Sequence, residues 1–209
     1  HETEVVLAAG PYKAVVTFFP IDEVREHLNE CISEAVLSAY RGDGDGEVLR
    51  KLLMHVNQRF RFNYVLGNGP QEPDMDDEDD DDEDDIAELI EDTSADGVIN
   101  LDETNDVLAN ALKVLREIAK RYGDLLKTEL GAVDEKDQRV VDELFEEELD
   151  RRLREDDDFY RISDDLMDEI EKRFSLLTDG TVRRNKQGWP QSWSWETDDR
   201  ESFIKAVMC

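Results

Sequence analysis

The sequence predicts an α+β protein: a small N-terminal sheet with helices, followed by a mainly α-helical, bundle-like C-terminal half. Three observations predict it. Two short runs of β-branched and aromatic residues open the chain, apolar residues recur near every 3.6 positions through most of the second half, and an acidic run of twelve residues stands between them.

The elements follow in order. Residues 4–8 and 12–19 are the β-branched and aromatic runs, split by Gly10 and Pro11, so they read as two short strands with a turn. Pro20 closes the second. Ile21, Val24, Leu28, Ile32, Val36 and Ala39 then recur at steps of three and four, which predicts a helix with one buried face, ended by the glycine-rich stretch 41–46. A second helix is expected from Glu47 to about Asn57, with Val48, Leu52, Leu53 and Val56 inward. Phe60, Phe62, Tyr64 and Leu66 alternate with other residues at a period of two and predict a further strand. Downstream, Val107 to Ala119 mark a long helix to Leu126 or Leu130, and Val140 to Leu153 mark another. Leu166 to Leu177 mark a third, with Ser163 expected as its N-cap. Three such helices are expected to pack as a bundle. Residues 181–195 read as irregular or short strand, and Asp198 to Val207 as a last short helix.

Charge divides this plan. The 209 residues carry 55 Asp and Glu against 25 Lys and Arg, a formal net charge of -30. Residues 74–85 hold eleven acids and no base, leaving -4 before the run and -15 after it. Like charges repel at every spacing there and only Met75 is apolar, so the run predicts a solvated linker. The expected organisation is an α+β subdomain over 1–70, an acidic linker over 71–85 and a mainly helical domain over 86–209. A chain this acidic argues against direct nucleic-acid binding and for a protein partner, with a basic one, drawn by electrostatic steering, as one candidate beside the plain spacer role of the run. A high-salt setting is the other reading of the acidity, with Arg (16) above Lys (9) and Asp (30) above Glu (25). No run of 18 apolar residues predicts a membrane span, and no signal-peptide core is visible. Two cysteines make no disulfide framework, which favours a reducing, intracellular compartment. The chain opens on His1 and not on methionine, which implies residues upstream of this sequence.

One stretch carries the spacing of a binding site. Residues 92–103 place Asp92, Ser94, Asp96, Val98, Asn100 and Glu103 at positions 1, 3, 5, 7, 9 and 12 of a loop, with Gly97 at position 6 and Ile99 at position 8. In this the segment resembles an EF-hand calcium loop. The resemblance implies that Ca²⁺ takes side-chain oxygens from Asp92, Ser94 and Asp96, the Val98 carbonyl, Asn100 through a water, and a bidentate Glu103 opening the next helix. It covers under a fifth of the chain, lacks a partner hand, and has Glu91 where the incoming helix would carry a large apolar residue. The alternative is an ordinary turn, with Asp102 or Glu103 supplying first-turn negative charge to the long helix.

No catalytic constellation is found, so the chain is read as a non-enzyme. His1, His27 and His55 are far apart in sequence and fit no short metal-ligand spacing. An N-terminal histidine can chelate copper through its amine and ring, but the chain resembles copper oxygenases of polysaccharides in nothing else. Cys31, on the apolar side of the first helix, is expected to be a buried small hydrophobe. Arg183, Arg184 and Lys186 beside Trp189, Trp193 and Trp195 form a basic and aromatic cluster, read as an interaction surface against a default of a packed surface loop. Two functions follow as expectations: an acidic, calcium-binding interaction protein, or a structural or assembly subunit of a virus particle or large complex, its acidity halophilic or polyanion-mimicking, with no metal. Oligomeric state is not legible.

Overall fold

A computed structural model describes residues 2–5, 11–55, 61–67, 101–130, 138–175 and 180–203. Its elements run β1 (Glu2–Val5), β2 (Tyr12–Thr17), α1 (Ile21–Arg41), α2 (Asp45–Leu53), α3 (Asn63–Leu66), α4 (Leu101–Leu130), α5 (Gln138–Leu153), α6 (Asp157–Phe174), β3 (Thr181–Arg184) and β4 (Pro190–Thr197). The architecture is α+β, as the sequence predicts. None of the helices among the described residues is long and apolar enough to cross a membrane.

The chain forms two compact units, and both draw on distant stretches of sequence. Among the described residues, one holds the chain up to Val24 and from Ile170 onward; the other holds those within 25–67 and 101–169. The unit boundaries fall inside α1 and α6.

The first unit is a four-stranded antiparallel sheet in the order β1-β2-β4-β3. Residues 181–195, expected to be irregular or short strand, supply two of its strands. Register explains which side is apolar. Ala14 stands opposite Trp195 and Val16 opposite Trp193, while Val182 stands opposite Trp193 from the other side. Directly opposed residues share a face, so these side chains meet on one side of the sheet and pack with Phe203. Trp195 and Phe203 stack with centroids 6.1 Å apart, and Tyr12 lies 5.4 Å from the same Phe203. The other face carries Lys13, Thr17, Arg183, Ser192, Ser194 and Glu196, an alternation that leaves it wet. Trp189 is buried, donates its indole N–H to the Phe19 carbonyl at 2.9 Å, and meets Phe174 edge-on. Gly180 has φ +89°, and a Cβ there would meet the Ser194 carbonyl at 2.5 Å, so the entry to β3 requires glycine. The last helical turn, residues 200–203, is capped by Asp199, whose carboxylate accepts the N–H groups of Glu201 and Ser202.

The second unit is helical. α1 buries Leu28, Ile32 and Val36, which its period selects, together with Ala35, and α2 buries Val48 and Leu52. The glycine-rich turn between them is tied twice. Ser38 donates to Asp43 at 2.7 Å, and Arg116 of α4 donates to the Asp43 carbonyl at 2.7 Å and to the Asp45 carboxylate. α4 packs against α2 and α5, burying Leu108, Leu115, Ile118 and Leu126. Tyr40 stacks on Phe145 at 4.1 Å and lies over the buried Gly123, where α4 has no side chain to hold it off.

Three expectations change here. The second helix ends at Leu53, short of Asn57. The period-two stretch is not a strand: Arg61 makes an isolated bridge with Met54, and Asn63–Leu66 is a helical turn. Phe62 and Leu66 are both buried, while Tyr64, assigned inward by alternation, is 55% exposed; a pair at i and i+4 serves a helix as well as a strand. The third long helix starts six residues before the expected Ser163 cap. Its cap is Asp156, whose Oδ1 accepts the N–H groups of Asp158 and Phe159 at 2.9 and 3.0 Å. Phe159 and Ile162 extend the buried stripe upstream, and Ser163, inside the helix, donates to Asn29 at 2.7 Å.

Candidate functional site

Among the described residues one group has the donor set of a metal site: His27, Glu30 and His55. His27 and Glu30 sit three apart on α1 and so share a face. His55 arrives from the two residues after α2, where Met54 is pinned by its bridge to Arg61. His27 Nδ1 lies 3.0 Å and His55 Nε2 2.6 Å from the same oxygen, Glu30 Oε2. The two rings meet edge to face with centroids 5.0 Å apart. His55 is buried, His27 is partly covered, and the Glu30 side chain is half exposed.

Burial, the largest single effect on Glu30, raises its pKa; the hydrogen bonds from His55 and His27 and the charge on both rings together overcome it, so the carboxyl is held below its ordinary value. Glu30 and His55 also line an open cleft of about 340 Å³, shared with Ser33, Glu34, Lys51 and Asp150. Cys31 borders it too. Burial, with the charges of Glu30 and Glu34 adding, pushes its thiol up to about 12, so it stays protonated near neutral pH.

Sequence reading missed this group. His27 and His55 are 28 positions apart, with a helix end, a turn and a second helix between them; only the His27 and Glu30 spacing carried a hint.

The sequence-predicted calcium residues Asp92, Ser94, Asp96, Val98 and Asn100 lie outside the described residues. Glu103 is described, exposed, in the first turn of α4 beside Asp102. Of the basic and aromatic cluster, Trp189 and Trp193 are buried in the sheet unit, and Trp195 is partly buried against Phe203. Arg183, Arg184 and Lys186 are exposed, and Arg184 donates to the Gly188 carbonyl across the turn between β3 and β4. The tryptophans are therefore mainly packing residues of the sheet, with the bases at its rim.

The charge is unevenly spread over the helices. Residues 138–175 hold fifteen acids and seven bases, against six and five over α4. Several bases are committed to ion pairs: Arg25 with Asp164, Arg41 with Glu146, Arg121 with Asp158. Arg151 and Arg152 both donate to Glu148, which their hydrogen bonds lower to about 2. Asp157, Asp165 and Asp168 stay exposed without a cation partner among the described residues. At the pitch of a helix they fall, with Asp164, on one side of α6.

No protein-family model, no curated protein and no solved structure matches the chain.

Proposed function

We propose that the chain is a non-enzymatic, acidic interaction protein that engages a basic protein partner. The observation that carries this reading is the carboxylate stripe of α6, Asp157, Asp165 and Asp168, exposed and without a cation partner among the described residues, in a segment with about twice as many acids as bases. Acids that pack and pair are part of the fold; acids left exposed on one side of a helix raise a local field that attracts cations. Screening over about 8 Å at physiological salt confines that field to close approach, so it speeds encounter more than it deepens affinity. The test is fluorescence anisotropy with a labelled Lys- and Arg-rich peptide across a KCl series. Binding is expected to weaken with salt and to fall in the triple variant Asp157→Asn, Asp165→Asn, Asp168→Asn. Equal binding by the variant, with the same salt slope, would overturn the stripe as the contact.

Calcium at 92–103 belongs to the same proposal. The placement of Asp102 and Glu103 in the first turn of α4 supports it, since the resemblance needs position 12 to open a helix. Titration calorimetry with about 1–5 mM Ca²⁺, the range of weak single modules, is expected to give heat that Asp92→Ala abolishes. No such heat removes calcium from the reading and leaves the acidic interface standing.

A further inference from the structure

We infer that His27, Glu30 and His55 form a binding site for a divalent transition-metal ion, Zn²⁺ above all, with an open coordination position bordering the cleft of Glu34, Lys51 and Asp150. The inference stands apart from the acidic interface and from residues 92–103.

The donor set decides the class of metal. Two imidazole nitrogens and one carboxylate oxygen suit zinc and its neighbours, whereas calcium and magnesium take oxygen ligands. The geometry is close to what such an ion needs. One atom from each of the three residues lies within 4.8 Å of the other two. Ligands about 2.0–2.1 Å from a tetrahedral metal stand about 3.3 Å apart. Glu30 Oε2 is 3.0 Å from His27 Nδ1 and 2.6 Å from His55 Nε2, so these contacts have to lengthen by about 0.3 and 0.7 Å, and the two ring nitrogens, no more than 4.8 Å apart, have to close toward the same spacing. What holds the oxygen between the rings now is a pair of N–H donors; a cation at the same point replaces both protons and draws on the lone pairs they leave.

The site is also prepared by the fold. Two ligands come from one helix at a fixed spacing, and the third comes from a buried ring just beyond the end of α2. Little conformational entropy is left to lose on binding. Three protein ligands leave a fourth position for water or a small exogenous ligand, whereas closed structural zinc sites fill all four from the protein. Since Glu30 and His55 line the cleft, that position borders it.

The test uses the full chain and Zn²⁺ alone. Because an acidic run such as residues 74–85 attracts divalent cations without selectivity, the titration is run in excess Mg²⁺, and His1→Ala removes the one other histidine of the sequence as a competing ligand. One equivalent of Zn²⁺ is expected to survive both controls. His27→Ala and His55→Ala should each weaken it at least about a hundredfold, the upper end of what the loss of a mere supporting partner costs. Folding of the variants is not essential to the decision: ¹⁵N resonances of the histidine rings in the unaltered chain should move to metal-bound positions at His27 Nδ1 and His55 Nε2. Zinc binding that Mg²⁺ abolishes, that survives both histidine variants, or that leaves these two rings unmoved overturns the site.

Discussion

Gly123→Ala should destabilise the helical unit, although alanine is the better helix former. In the interior of α4 the exchange alone would stabilise by about 1 kcal/mol. Against that, the new methyl would lie 2.7 and 2.8 Å from Cδ2 and Cε2 of Tyr40, closer than carbon atoms pack. The ring has little room to yield, because its far side is stacked on Phe145 at 4.1 Å with an interplanar angle of 19°. Overpacking of this kind costs about 1–3 kcal/mol, so the net loss is about 1 kcal/mol. In a chain of this size that corresponds to a fall in Tm of about 2–4 °C. The decisive assay is a double-mutant cycle read by urea unfolding of the far-ultraviolet helix signal. In a Tyr40→Ala background the clash is gone and Gly123→Ala should stabilise by its propensity gain, giving a coupling of about 2 kcal/mol and a change of sign. The same ΔΔG in both backgrounds, or a stabilised single variant, would refute the reasoning.

Other outcomes follow from the same physics. Asp156→Ala removes the cap of α6 and leaves the Tyr122 hydroxyl, which donates to its Oδ2 at 2.6 Å, without that acceptor; a loss of about 1–3 kcal/mol is expected in urea, with Asp156→Asn much milder because it still caps. Glu30, held below its ordinary 4.5, contributes stability that is present above that value and lost as pH falls through the folded one. Thermal melts of Glu30→Gln should therefore lie below those of the unaltered chain at pH 6 and converge with them in acid, and a constant gap across that range would contradict the assignment. Melting from low to molar KCl separates the two sources of acidity: a chain built for saline surroundings gains stability with salt, whereas an interaction protein loses only affinity for its basic partner.

Legibility in the sequence followed how local the cause was. The stripe Leu28, Ile32, Val36 announces α1 because one face of one helix is buried, and the run from Tyr12 announces β2 because its neighbours are alternately apolar and wet. Phe62 and Leu66 mislead because four positions is an even number and also close to one helical turn. The upstream start of α6 was hidden by the acids at 155–158, of which only Asp156 turns inward to cap. The meeting of His27 with His55 depends on how a glycine-rich turn sets α2 against α1, a tertiary event with no fixed spacing. Burial of Trp189 and Trp193 likewise depends on strand partners at the far end of the chain, and without them the aromatic cluster looks like a surface.

The place of β4 between β2 and β3 has a consequence during synthesis. β2 is made about 170 residues before the strand that must pair with it, which at ordinary elongation rates is an interval on the order of ten to forty seconds. For that time the edge that will receive β4 has no partner, and Ala14 and Val16 lack the tryptophans that later cover them. The helical elements can fold as they emerge, while the sheet has to wait for the last strands. Until residues 190–197 are made, the β2 edge that will receive β4 therefore stays open to mispairing with another copy of the chain.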